Sequence, residues 1–445
     1  MNDRQPLHKL FFRYVAPSVA AMWCFSIYTM IDGIFVGRGV GPLALAAVNL
    51  SMPFISFVFA VALLIAVGSS TLISYYLGRK DGRSANRLFT LNLIVLVTIA
   101  LGIAGVSLFY LEELVLFLGA APDTLPLAMD YLGIIILFSP FFMIAYSLEV
   151  LVKADGFPVF SIIVVALAAV VNLVLDYLFV IRLQYGVQGA AVATGLSQFI
   201  SFLVFMVYFL RGNSRLSFQK PEIRRQEVIG LFKVGSPEAI SELSAGFTIF
   251  LFNFVIGRHL GSQGHAAFAV MMYLNNLVVL TMIGINQGIQ PLVSYYIGKG
   301  EEWKAKALLK TAMKTGFGFS LFFFVGSVFF TETLVSFFIN REAVETFAMA
   351  SYGLKLFSTG FLLIGFNLII SGYFTALRET RKALFMAFTR SWGLISFGLF
   401  ILPEFFGSTG IWMAPLFYEG TMLFISFGFL LSYHKTSLKE EYQPL

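Results

Sequence analysis

Long apolar runs alternate with short polar ones along this chain. Positions 39–78 and 259–298 contain no Asp, Glu, Lys or Arg. A helix needs about 20 mostly apolar residues to cross a bilayer, and both runs exceed that. Lipid offers nothing to an open sheet edge, so the runs are predicted to be helices. Twelve spans are expected, at roughly 10–36, 44–77, 88–110, 128–152, 158–181, 188–210, 229–256, 265–297, 308–331, 346–376, 382–402 and 409–433. The predicted fold class is an all-α polytopic membrane protein.

The pattern also repeats. Pro17, Gly37, Arg38, Gly41, Ser74, Tyr75, Tyr76 and Gly78 recur as Pro237, Gly257, Arg258, Gly261, Ser294, Tyr295, Tyr296 and Gly298. Each partner lies 220 residues further on, as in the steps from 17 to 237 and from 78 to 298. The chain therefore divides into six-helix repeats at 1–210 and 229–445, joined by a polar linker at 211–228. Doubled membrane halves are a device of secondary transporters, which bind substrate between the repeats.

Composition narrows the picture further. With 58% hydrophobic and 12% charged residues, the chain cannot present an ordinary water-soluble surface. Cys24 is the only cysteine, and His8, His259, His265 and His434 are scattered, so neither an internal disulfide nor a structural metal is expected. No cofactor is expected. The start, with Asp3, Arg4, Pro6, His8 and Lys9, lacks a cleavable signal pattern.

The net charge of +6 does not point to nucleic acid, because the basic residues cluster in short loops. With both termini cytoplasmic, 24 of the 30 Lys and Arg fall on the inner side. Only Arg38, Arg182, Arg258 and Arg341 fall outside, which is the positive-inside pattern. Lys355 and Arg390 lie within spans and read as snorkelling side chains. The expected location is the plasma (inner) membrane, as a multi-pass monomer.

Acids inside lipid are expensive, roughly 2.5–3.5 kcal/mol each at a span centre, and mark functional sites. Asp32 stands six residues before Arg38, and Asp176 six before Arg182. Both are thus about 9 Å below the outer mark. Thr194 enters the next span from the same side, and Asn172 shares a helix face with Asp176. Two carboxylates with an amide and a hydroxyl can share a proton or take up a sodium ion through hard oxygen ligands. The 220-residue step maps Asp32 onto Phe252, so the second half lacks this set.

Glu242 lies in the inner part of its span, either facing a cavity or wetted at the inner mouth. Glu149, four residues from Lys153, reads as an interfacial acid. Tyr28, Tyr146, Met271 and Met272 are candidates to line a compliant apolar cavity. Pro17 and Pro237 each remove a helical hydrogen bond and favour a kink.

These features together resemble the multidrug and toxic compound extrusion (MATE) family. The likeness rests on twelve spans, the doubled repeat, Asp32-Gly-Ile-Phe-Val-Gly-Arg, Lys153-Ala-Asp-Gly, Gln290-Pro and the paired Ser-Tyr-Tyr-x-Gly ends. It implies a V-shaped pair of six-helix lobes around a central cavity. It further implies export of amphipathic, often cationic, small molecules in exchange for H⁺ or Na⁺. Members with an amino-lobe ion site carry the set that looks like Asp32, Asn172, Asp176 and Thr194 here. Other members have acids in helices 7 and 10; Asn367 takes the helix-10 position in this chain, and Glu242 lies nearer the inside.

No phosphate-binding Walker loop and no hydrolase or zinc-protease motif occurs, so neither ATP-driven transport nor an enzyme is expected. A channel would show a repeated ring of filter residues, whereas the two halves differ in their acids. A lipid-linked oligosaccharide flippase shares the repeated plan. It is disfavoured by the acidic character of the cavity candidates.

Overall fold

The computed structural model describes residues 5–212 and 214–441. The described residues form helices and connecting turns, with twelve helical segments long and apolar enough to span a membrane. The first half contains α1 (Leu7–Gly39), α2 (Pro42–Gly78), α3 (Gly82–Phe109), α4 (Leu111–Phe117), α5 (Leu125–Asp155), α6 (Pro158–Asp176) and α7 (Gly186–Leu210). The second contains α8 (Arg225–His259), α9 (Gly261–Gly298), α10 (Glu302–Phe329), α11 (Thr331–Ser336), α12 (Val344–Phe357), α13 (Phe361–Ala376), α14 (Thr380–Phe388), α15 (Ile395–Phe406) and α16 (Ser408–Glu441). The tenth span is built from α12 and α13, and the eleventh from α14 and α15.

The expected spans are all present and mostly longer by a few residues. Two short helices, α4 and α11, were not expected; they begin at 111 and 331, the same 220-residue step, so they belong to the repeat. Their apolar residues extend the hydrophobic pattern without crossing the membrane. Two π-helical stretches, Tyr177–Arg182 and Thr389–Leu394, fall in the fifth and eleventh spans. A π turn widens the helix locally and re-aims side chains, and such turns gather at functional positions.

The halves make close contact through small residues, as membrane helices do when no water drives them together. A Cβ on Gly78 would run into the Tyr295 carbonyl, and one on Gly298 into the Tyr75 carbonyl. This exchange obeys the internal symmetry. Gly68 meets the Leu231 carbonyl, and Gly235 meets that of Leu64 in the same way. Gly284 and Gly288 of α9 seat the backbone of Val19 and Val15 of α1. The Gly78–Gly298 contact lies at the end of the molecule marked by Arg79 and Lys299, where the two halves are shut against each other.

Polar side chains also join the two halves. Lys153, fully buried, pairs with Glu149 at 2.8 Å and donates to Gln287 Oε1 of the other half at 2.9 Å. Gln287 in turn donates to the Tyr146 hydroxyl at 3.1 Å. Glu149 is therefore a buried ion-pair partner, not an interfacial acid. Its neutralising lysine lies one helical turn away, and a second lobe covers both. Pro17 and Pro237 lie inside continuous helices.

Candidate cation site

Asp32 on α1, Asn172 and Asp176 on α6 and Thr194 on α7 converge within the first half. The Asp32 and Asp176 carboxylates lie against one another. Asn172 Nδ2 donates to Thr194 Oγ1 at 3.4 Å. Asp32, Asn172 and Asp176 are buried, with Asp176 fully so, and Thr194 is half-buried. Asp32 Oδ1, Asn172 Oδ1 and both carboxylate oxygens of Asp176 are buried without a hydrogen-bond donor. Buried oxygens in native proteins are nearly always partnered, and four such acceptors in one place can share a proton or hold a small cation.

Local structure explains the placement. Val36 follows Asp32 by one turn, Val180 follows Asp176, and Ala190 precedes Thr194. All three belong to one small apolar cluster with Tyr131, Val187 and Ala191. That cluster roofs the carboxylates on the side of the Arg38 and Arg182 helix ends. The π turn begins at Tyr177, directly after Asp176, and brings Val180 and Ile181 against Gly39 of α1. Tyr28 and Tyr131 stand beside both acids, and Gln198 lies next to Tyr28. Nothing in the sequence marks Tyr131 for this place, and only the i+4 relation of Gln198 to Thr194 marks Gln198.

The remaining candidates scatter. Tyr146 is buried in the cross-half network described above. Met271 is fully buried in the apolar core of the second half, where it packs against Gly353, while Met272 is half-buried at its edge. Glu242 is half-buried and, among the described residues, carries no hydrogen bond or ion pair. One turn earlier, Glu238 accepts from Gln290 Nε2 at 2.8 Å. In the sequence only its place beside Pro237 marks Glu238.

Arg390 is not a snorkelling side chain. Its Nε and Nη2 both donate to Glu419 Oε1, at 2.9 and 2.6 Å, and Glu419 is buried. Asn367 donates to Glu419 Oε2 at 2.7 Å and accepts from Ser426 at 2.9 Å. Charge in this part of the second half is thus balanced within the protein, whereas Asp32 and Asp176 have no basic partner among the described residues.

A family model described as MatE matches residues 17–178 and 237–400, one copy in each half. The chain belongs to the MatE family. Its members are multidrug efflux transporters, and the fold agrees. The outward-facing conformation of a multidrug resistance MATE transporter of the MOP superfamily superposes with a TM-score of 0.92 at 22% identity, covering 99% of this chain and 98% of that one. A MOP superfamily transporter from Pyrococcus furiosus superposes at 0.91 with 22% identity, covering 98% and 97%; its description reports reverse polarity of the binding pocket and suggests a different function. In sequence, the multidrug export protein MepA of Staphylococcus aureus (strain bovine RF122 / ET3-1) is 25% identical, covering 94% of this chain and 92% of its own length. That of Staphylococcus haemolyticus is 25% identical over 95% and 93%. The V-shaped, two-lobed MATE fold is the architecture of this chain.

Proposed function

We propose that this MATE protein is an antiporter that expels amphipathic, often cationic, compounds in exchange for H⁺ or Na⁺. The reading is carried by the four donor-less acceptor oxygens of Asp32, Asn172 and Asp176. Two buried carboxylates in contact repel unless a proton or a cation lies between them. A small positive ion entering this site relieves that repulsion and draws α1 toward α6. The relatives named multidrug export protein MepA support an organic small-molecule cargo. Glu238 and Glu242, on the half-buried face of α8, favour a positively charged one.

The bias of Lys and Arg supports an orientation with both termini cytoplasmic, in the inner membrane. On that reading the Gly78–Gly298 contact closes the cytoplasmic face, and the carboxylates lie nearer the outer one. Helix α1 links the two regions. It carries Asp32 near one end and, at its middle, Trp23, whose Nε1 donates to Thr281 of α9 at 3.0 Å. Val19 and Val15 continue that contact onto Gly284 and Gly288. A shift of α1 on cation binding therefore acts on the seam between the halves, so that ion and cargo bias one equilibrium.

The test is efflux of a cationic dye from proteoliposomes under imposed Na⁺ or pH gradients, varied separately. Asp32→Asn is expected to lose cation-driven efflux at least about tenfold, with dye binding retained, since it removes one of the two charges the ion must balance. Unchanged gradient-driven efflux in this variant would sink the assignment.

A further inference from the structure

The flank of the second half carries a groove. It lies between α10, α13 and α16, has a volume of about 530 Å³, and is open along one side. Its floor and walls include Met313, Phe317, Phe366 and Phe427, and its rim includes Lys310 and Lys314. Lys306 stands one turn earlier on the same edge, paired with Glu302 at 3.8 Å. Among the described residues neither Lys310 nor Lys314 has a carboxylate partner, and both are exposed.

Position decides what this groove meets. Lys310 and Lys314 are eight and twelve residues into α10, about 12 and 18 Å along its axis. A helix spanning Glu302–Phe329 is about 42 Å long. It overhangs a hydrocarbon core of about 30 Å by at most about 12 Å at this end, so Lys310 reaches the headgroup boundary and Lys314 starts about 6 Å or more inside it, from where its long side chain extends toward the headgroups. Two ammonium groups held over an apolar trough match a molecule with an anionic head and an acyl tail. A lysine without a carboxylate partner at this depth needs an anion or a route to water.

We propose that this groove binds an anionic phospholipid, its phosphate on Lys310 and Lys314 and one acyl chain lying along Phe317, Phe366 and Phe427. The occupant is a lipid, not a free phosphate, because the cleft continues from the lysines into an aromatic trough. The proposal needs only that α10 spans the membrane; it holds whichever way the protein faces and whatever ion it carries.

The experiment is native mass spectrometry of the detergent-purified full chain titrated with phosphatidylglycerol, phosphatidylcholine or glycerol phosphate. Native protein is expected to retain phosphatidylglycerol in preference to the other two. Lys310→Gln with Lys314→Gln should bind it roughly thirtyfold more weakly, about fivefold for each charge removed. Lys310→Arg with Lys314→Arg should retain it, and unchanged lipid-free thermal midpoints show that all variants fold. Equal retention of phosphatidylcholine by the native chain overturns the proposal, as does undiminished phosphatidylglycerol binding by the double Gln variant. Equivalent binding of glycerol phosphate overturns the role of the trough.

Discussion

At the scale of single residues, the Glu419 and Asp32–Asp176 sites handle buried charge in opposite ways. Arg390 and Glu419 neutralise one another, Asn367 donates to the second oxygen of Glu419, and Ser426 donates to Asn367. Removing one member of such a pair strands a charge, which costs roughly 3–5 kcal/mol. Glu419→Gln is therefore expected to lower the thermal unfolding midpoint sharply, and Arg390→Met combined with Glu419→Leu to recover most of the loss. Additive losses in that cycle would show that the pair does not act as a unit. Asp32 and Asp176 have no such internal counter-charge. Asp176→Asn should remove gradient-driven efflux as Asp32→Asn does, yet leave stability unchanged or raised, because it removes a repulsive buried charge. A stability loss of several kcal/mol in Asp176→Asn, measured by thermal unfolding, would mean that the carboxylate is a structural anchor instead.

At the scale of elements, the short turns between spans carry their own chemistry. The Asp81 carboxylate caps α3 by accepting the Ser84 backbone N–H at 3.0 Å. That hydrogen bond holds its pKa below the usual value of 3.8. A depressed folded-state pKa contributes stability above the unfolded value and loses it as pH falls through the folded one. Asp81→Ala should thus cost roughly 0.5 kcal/mol near neutral pH, the low end for a solvated cap. The difference between variant and native chain should close as the pH drops below 3.8. A difference that persists undiminished at that acidity would rule out the charged cap. In the same turn Lys80 holds a left-handed backbone at φ 60°, and its repeat partner is Gly300 at φ 79°. Duplication has kept the turn while changing the residue that makes it.

At the scale of the whole molecule, the seam between the halves is the part that must open and close. Gly78 and Gly298 allow backbone contact there, and a methyl group on either collides with a carbonyl of the opposite half. Gly78→Ala with Gly298→Ala should push the halves apart at that end. Spin labels at Arg83 and Trp303, both exposed, in a Cys24→Ser background would report longer distances than in the native seam. An unaltered distance distribution would show that the glycines are not what sets the closure. Lys153 holds the same seam through Gln287, so Lys153→Met should shift the distribution in the same direction.

Much of this architecture was legible in the sequence because a bilayer imposes few choices. Uninterrupted apolar length dictates spans, and the step from Gly78 to Gly298 dictates duplication. Depth counted from Arg38 and Arg182 brought Asp32, Asp176 and Thr194 to one level, where they also meet in space. Rotation about each helix axis was not legible, since spans that are apolar on nearly every face carry no stripe to say which side turns inward. Only tertiary packing decided that Lys153 reaches across to Gln287 and that Arg390 finds Glu419 rather than the membrane surface. It also decided that Met271 belongs to the core and that the acceptors of Asp176 face no donor. Partners far apart in the chain are chosen by which helix faces meet, and that is a property of the assembled bundle.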